Sequence, residues 1–133
     1  MSEVVPVALL LADRVIEEMN HKKAIIGTFT TFRAPRFPVV FPPWYIYAAA
    51  TNLEPDSHSY SLTIAHRETQ HVVYSGGGEF KVEDLLAVPE FVNVAPGVVF
   101  NKEGIHVVTF CIDGKEILTR LFDVKLVGSA GGE

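Results

Sequence analysis

Five histidines and a single cysteine are the side chains of this 133-residue chain best suited to chemistry near neutral pH. His66 and His71 flank the four residues Arg67 to Gln70, so a turn there would set two imidazoles across a hairpin. With His58 or Glu68 as a third ligand and one position open to water, such a pair would hold zinc and support hydrolysis. The spacing matches no recognised metal motif, and Glu68 would point into the loop. Polar residues at a solvated hairpin end are therefore the plainer reading of all three histidines. His106 shares a strand face with Val108, Phe110 and Ile112, where a histidine is ordinarily a core-edge residue with backbone or carboxylate partners. Cys111 has the opposite parity and no adjacent histidine or helix N-terminus to lower its pKa, so it reads as inert packing. No G-x-S-x-G, H-E-x-x-H or phosphate-loop pattern occurs. Gly76-Gly77-Gly78 lacks the following lysine and helix of a phosphate site, and reads as a flexible break. The sequence thus assigns no catalytic residue, no metal and no cofactor.

Recognition chemistry has a better candidate in Arg33 to Tyr47, which holds four prolines and five aromatics in fifteen residues. Proline lacks a donor N–H and clashes with a preceding helical turn, so the segment must be extended. Arg33, Arg36, Phe37, Phe41, Trp44 and Tyr45 are the residue types that anchor interfaces and clasp extended ligands. The competing use is structural: Phe37, Phe41 and Trp44 would close one end of a β-sandwich. Both uses together, with part of the segment capping the core and the rest burying against a second copy, are the expectation.

Strands must position these residues. Val4 to Met19 has helix formers, but Pro6 and the alternation of Val5, Val7, Leu9 and Leu11 favour a strand. Ala24 to Phe32 reads as one β-branched strand in which Gly27 marks a bulge or a close backbone approach. Ala34 to Pro43 would carry the chain between sheets, and Trp44 to Thr51 would resume as a strand. Tyr60 to Ala65 alternates cleanly, and His71 to Ser75 returns. Val82 to Leu86 is the one place for a short helical turn, and Phe91 to Val94 looks like a strand start. Asp113-Gly114 is a favoured two-residue hairpin turn. It sets Phe110 opposite Ile117 and Val108 opposite Thr119, with a bulge near Thr119 to Leu121 to rephase Phe122, Val124 and Leu126. Asp13 and Arg14 would each join a structural ion pair across strands. These elements predict an all-β, antiparallel, immunoglobulin-like sandwich of about eight or nine strands with Greek-key crossings. One domain would span residues 1–127, and 128–133 would be a flexible tail.

A net charge of -5 speaks against a nucleic-acid partner, and no apolar run is long enough for a membrane helix. One cysteine and no signal-like segment point to the cytoplasm. The A-D-R-V-I of Ala12 to Ile16, the lysine ahead of I-I-G-x-F (Lys23, Ile25 to Phe29), Phe37-Pro38, and G-x-H-x-V-x-F-x-I-D-G at Gly104 to Gly114 resemble a family of small uncharacterised bacterial proteins. That resemblance implies a cytosolic immunoglobulin-like β-sandwich with no assigned activity. The expected role is a non-enzymatic binding or assembly module that forms homo-oligomers through its Pro/aromatic segment. A histidine-based metal hydrolase and a small-molecule-binding sandwich are the alternatives.

Overall fold

The apolar alternation resolves into eleven strands and no helix over residues 3–127, the part described by the computed structural model. They are β1 (Val5–Glu17), β2 (Lys23–Thr28), β3 (Thr31–Ala34), β4 (Val39–Val40), β5 (Trp44–Thr51) and β6 (Asp56–His66). Then follow β7 (Val72–Val82), β8 (Glu90–Ala95), β9 (Val99–Phe100), β10 (Gly104–Ile112) and β11 (Lys115–Leu126). A four-stranded sheet has the order β2-β1-β5-β8, a five-stranded sheet the order β3-β11-β10-β6-β7, and β4 with β9 makes a ribbon. Leu9, Leu11, Ile46, Ala48 and Phe91 from the first sheet share one buried core with Leu62, Ile64, Val108, Phe110 and Phe122 from the second. The expected tail, 128–133, lies outside the described residues.

Eleven strands exceed the predicted eight or nine, partly because Ala24 to Phe32 divides. Gly27 takes a left-handed φ of 71°, which a residue with a Cβ adopts only at a cost. A Cβ there would also lie 2.4 Å from the Asp13 carboxylate. Beyond this point the chain leaves β1, and β3 runs parallel to β11 with Phe32 beside Val124. The five-stranded sheet is therefore mixed rather than antiparallel. The short β4–β9 ribbon supplies the remaining excess. Ala34 to Pro43 does cross from the five-stranded sheet back to the four-stranded one, as its prolines required.

Other local expectations shift for identifiable reasons. β1 is a 13-residue strand, but its register slips between Pro6 and Ala8. Val5 and Val7 are consequently 47% and 51% exposed instead of sharing the face of Leu9 and Leu11. Gly76 to Gly78 does not break β7 but continues it. A Cβ on Gly77 would sit 2.4 Å from the Tyr60 carbonyl oxygen, so the glycines let this edge strand lie close to β6. Val82 to Leu86 ends in a turn, held by Asp84 Oδ1 accepting from the Leu86 N–H at 2.8 Å, and not in a helical turn. The Asp113-Gly114 hairpin forms with both φ angles positive, but the bulge comes earlier than predicted. Phe110 pairs with Leu118 and Cys111 with Glu116, leaving Ile117 as the extra residue. Neither Asp13 nor Arg14 joins an ion pair among the described residues.

Candidate functional site

The proline-aromatic crossing divides between inside and outside. Trp44 is buried and Phe37 and Phe41 pack against the core, whereas Arg33 and Arg36 are exposed. Phe32 is the hub. Its ring lies 4.5 Å from Phe41 in a stack, 5.2 Å from Trp44 edge-on and 5.5 Å from Phe100. Such ring pairs add to burial through their quadrupoles, so this end of the core is firmly closed. Outside the plug, Phe29, Phe32, Phe41, Pro42, Pro43 and Trp44 line a groove of about 490 Å³ with Asp13 and Arg33 on its wall. An apolar floor with one charge of each sign suits an extended chain better than a reaction.

Tyr45 goes elsewhere. Strand alternation turns it, with Tyr47 and Ala49, to the outer side of the four-stranded sheet, where Ala8, Leu10, Ala12, Val15, Ile25 and Val92 join them. β5 and β1 as far as Ala12 are thus apolar on both faces. At the margin Lys23 Nζ lies 3.3 Å from Glu17 and 3.6 Å from Glu90. The Tyr47 hydroxyl donates to the Glu90 carboxylate. Burial, then that carboxylate, pushes the Tyr47 phenol well above its ordinary value, so it stays a neutral donor at any physiological pH.

The histidines do not assemble as the zinc reading requires. His58 and His66 sit eight positions apart on β6, roughly 26 Å along an extended strand. His58 instead lies 2.6 Å from Asp113 Oδ2 through Nδ1 and 2.7 Å from the Glu54 carbonyl through Nε2. The hydrogen bond to Asp113 raises its pKa. Burial works to raise the Asp113 carboxyl, but the His58 and Ser59 hydrogen bonds outweigh it and hold that pKa low. His66 and His71 do flank the turn, and the His66 N–H donates to the His71 carbonyl at 2.9 Å. The sequence missed that the cross-strand partner of His66 is His106. Both face the core side, and their rings are 5.0 Å apart. With His71, Thr69, Val73, Asn101 and Lys102 they line a recess of about 280 Å³. Among the described residues, no three His, Cys, Asp or Glu side chains are placed to share a metal ion.

Arg120 also went unnoticed in the sequence. From β11 its guanidinium donates to the Leu9 carbonyl of β1 at 3.0 Å, tying the two sheets where β1 has no strand neighbour on that side. On the opposite flank, Tyr60 donates to Asn93 at 2.9 Å and Asn93 to Tyr74 at 3.0 Å, a polar strap between β6, β8 and β7.

This all-β architecture belongs to the family of unknown function DUF6941, which matches residues 7–125. No curated protein matches the chain. Among solved structures it is similar to the Pseudomonas fluorescens alkylpurine DNA glycosylase AlkC bound to DNA containing an abasic site analog. The two are 12% identical with a TM-score of 0.54, over 93% of this chain and 31% of that one. The chain spans about a third of that protein, and at this identity the likeness is one of fold alone. No helix among the described residues is long and apolar enough to cross a membrane.

Proposed function

We propose that this protein is a non-enzymatic binding or assembly module, one immunoglobulin-like sandwich domain over residues 1–127, that self-associates in a bacterial cytoplasm. The observation that carries the reading is the outer face of the four-stranded sheet. An antiparallel sheet with one solvated face alternates apolar and polar residues, whereas strands covered on both sides are apolar throughout. β5 and the first part of β1, up to Ala12, follow the second pattern, which Asp13 and Arg14 then end. The face has an apolar, tyrosine-bearing centre with Glu17, Lys23 and Glu90 at its margin, the composition of an interface core with a polar rim. Strands of 13, 8, 6 and 6 residues, at about 3.3 Å per residue and about 4.8 Å apart, offer on the order of 500 Å² of flat area. That is near the lower limit of roughly 600 Å² per partner for a specific interface, the size of a weak, concentration-dependent association.

This moves the proposed contact from the buried part of the proline segment to the sheet that Tyr45 enters. Arg33, Arg36 and the groove beside Phe41 remain available at its end for an extended, apolar ligand. The net charge of -5 supports a protein partner over a nucleic acid, and a lone free cysteine, Cys111, suits a reducing compartment. Light scattering over about 1–100 µM tests the reading. The expected mass rises toward twice 14.6 kDa. A single-chain mass throughout that range would contradict it.

A further inference from the structure

We propose that the recess between His66, His71 and His106 is a binding site for a single-ring aromatic molecule carrying an O–H or N–H donor, the chemistry of a phenol. It does not depend on self-association.

The site follows from the hydrogen-bond assignments of two histidines. His66 is fully engaged. Its Nε2 lies 3.0 Å from the Glu103 carbonyl, which can only accept, so Nε2 carries the proton. Its Nδ1 then accepts the Glu68 and Thr69 N–H groups at 3.2 and 3.3 Å. Gly104 makes room for this arrangement: its φ is 135°, and a Cβ there would approach His66 Nε2 to 2.7 Å. His106 is different. Its Nδ1 lies 3.0 Å from the Gly104 carbonyl and must be the N–H donor, which leaves Nε2 a lone-pair acceptor. No partner for that nitrogen occurs among the described residues. The residue is only 1% exposed, yet it lines the recess.

With Nδ1 engaged by the chain, Nε2 is the acceptor that His106, a lining residue, can offer to a donor held in the recess. The rest of the cavity defines the donor's body. His106 is held from behind, stacked on Phe122 at 5.3 Å and against the edge of Phe100 at 5.1 Å, and the aromatic surface lining the recess is that of the three imidazoles. Val73 and Thr69 form the sides, with Asn101 and Lys102 also lining the recess. A dry apolar cavity of about 150 Å³ accepts benzene, so about 280 Å³ accommodates one ring with a polar substituent. Burial lowers the His106 pKa and keeps the ring neutral. A neutral acceptor rewards an O–H donor and repels a carboxylate placed at the same point.

Titration of the full chain, ¹⁵N-labelled at histidine and backbone, with phenol and with toluene tests the assignment. Phenol is expected to move the His106 Nε2 resonance and the Thr69, Val73, Asn101 and Lys102 amides, and to bind about tenfold more tightly than toluene. His106→Phe, which keeps a ring on Phe122 but removes the acceptor, is expected to abolish that preference. Equal affinity for the two probes, shifts confined to the groove at Phe41, or no saturable shift would each overturn the proposal. If His106→Phe fails to fold, the wild-type Nε2 response to phenol against toluene decides alone.

Discussion

On the outside of the five-stranded sheet, Ser75, Thr63, Thr109 and Thr119 are cross-strand neighbours in one row over β7, β6, β10 and β11. The outside of the four-stranded sheet carries Ala8, Leu10, Ala12, Tyr45, Tyr47, Ala49 and Val92 instead. Both sheets bury their other faces in the same core, so the difference is not a requirement of folding. The hydroxyl row meets water without penalty and obeys the period-two pattern of a half-buried strand. The apolar face gains by being covered, at roughly 25 cal/mol per Å² removed from water. The polar row needs no cover; the apolar face is the one that the proposed self-association would cover.

Neighbours on β5 sharpen this contrast most. Ile46 is fully buried between the sheets, so Ile46→Ala is expected to cost about 2–5 kcal/mol by urea unfolding at any protein concentration. Tyr45, one position on, faces outward and is half-buried. Tyr45→Ala is expected to change monomer stability by less than about 1 kcal/mol while making the unfolding midpoint less dependent on protein concentration. Similar losses at both positions, independent of concentration, would erase the distinction between the faces.

A smaller effect separates an inward histidine from an outward one. Burial depresses the His106 pKa below its ordinary value near 6.5. Its contribution is present above that value and is lost as pH falls through the folded pKa. His58, raised by Asp113, works with the opposite sign: its contribution is full below about 6.5 and lost as pH rises through the folded pKa. Denaturation midpoints from pH 8 to 5 are therefore expected to fall less steeply in His106→Phe and more steeply in His58→Gln than in wild type. Parallel curves for the three proteins would show that neither environment differs from water.

Much of this architecture was legible because local chemistry dictated it. Asp113-Gly114 names its own turn, and the prolines of Ala34 to Pro43 leave the chain no alternative to an extended crossing. The bulge was misplaced because Ile117 and Leu118 are both apolar, so either can serve as the extra residue. The division of Ala24 to Phe32 was hidden because only the fold shows that Gly27 is needed for its φ rather than for a bulge. The outward apolar face was visible as unbroken runs, A-L-L-L-A in β1 and Y-I-Y-A-A-A in β5. In β1 the same composition also suits a helix, which masked its meaning. The His66–His106 pair could not be read at all. Its members are forty positions apart, and their register is set by the long-range pairing of β6 with β10 in one sheet, not by any spacing in the sequence.

Sedimentation equilibrium on two matched charge insertions tests the central claim most directly. Leu10→Asp places a carboxylate on the outer face of the four-stranded sheet, and Thr109→Asp places one on the outer face of the five-stranded sheet. The account predicts that Thr109→Asp associates like wild type, and that Leu10→Asp stays folded by circular dichroism but weakens association by at least tenfold, about 1.4 kcal/mol. Equal association of both variants, or loss only in Thr109→Asp, would contradict it.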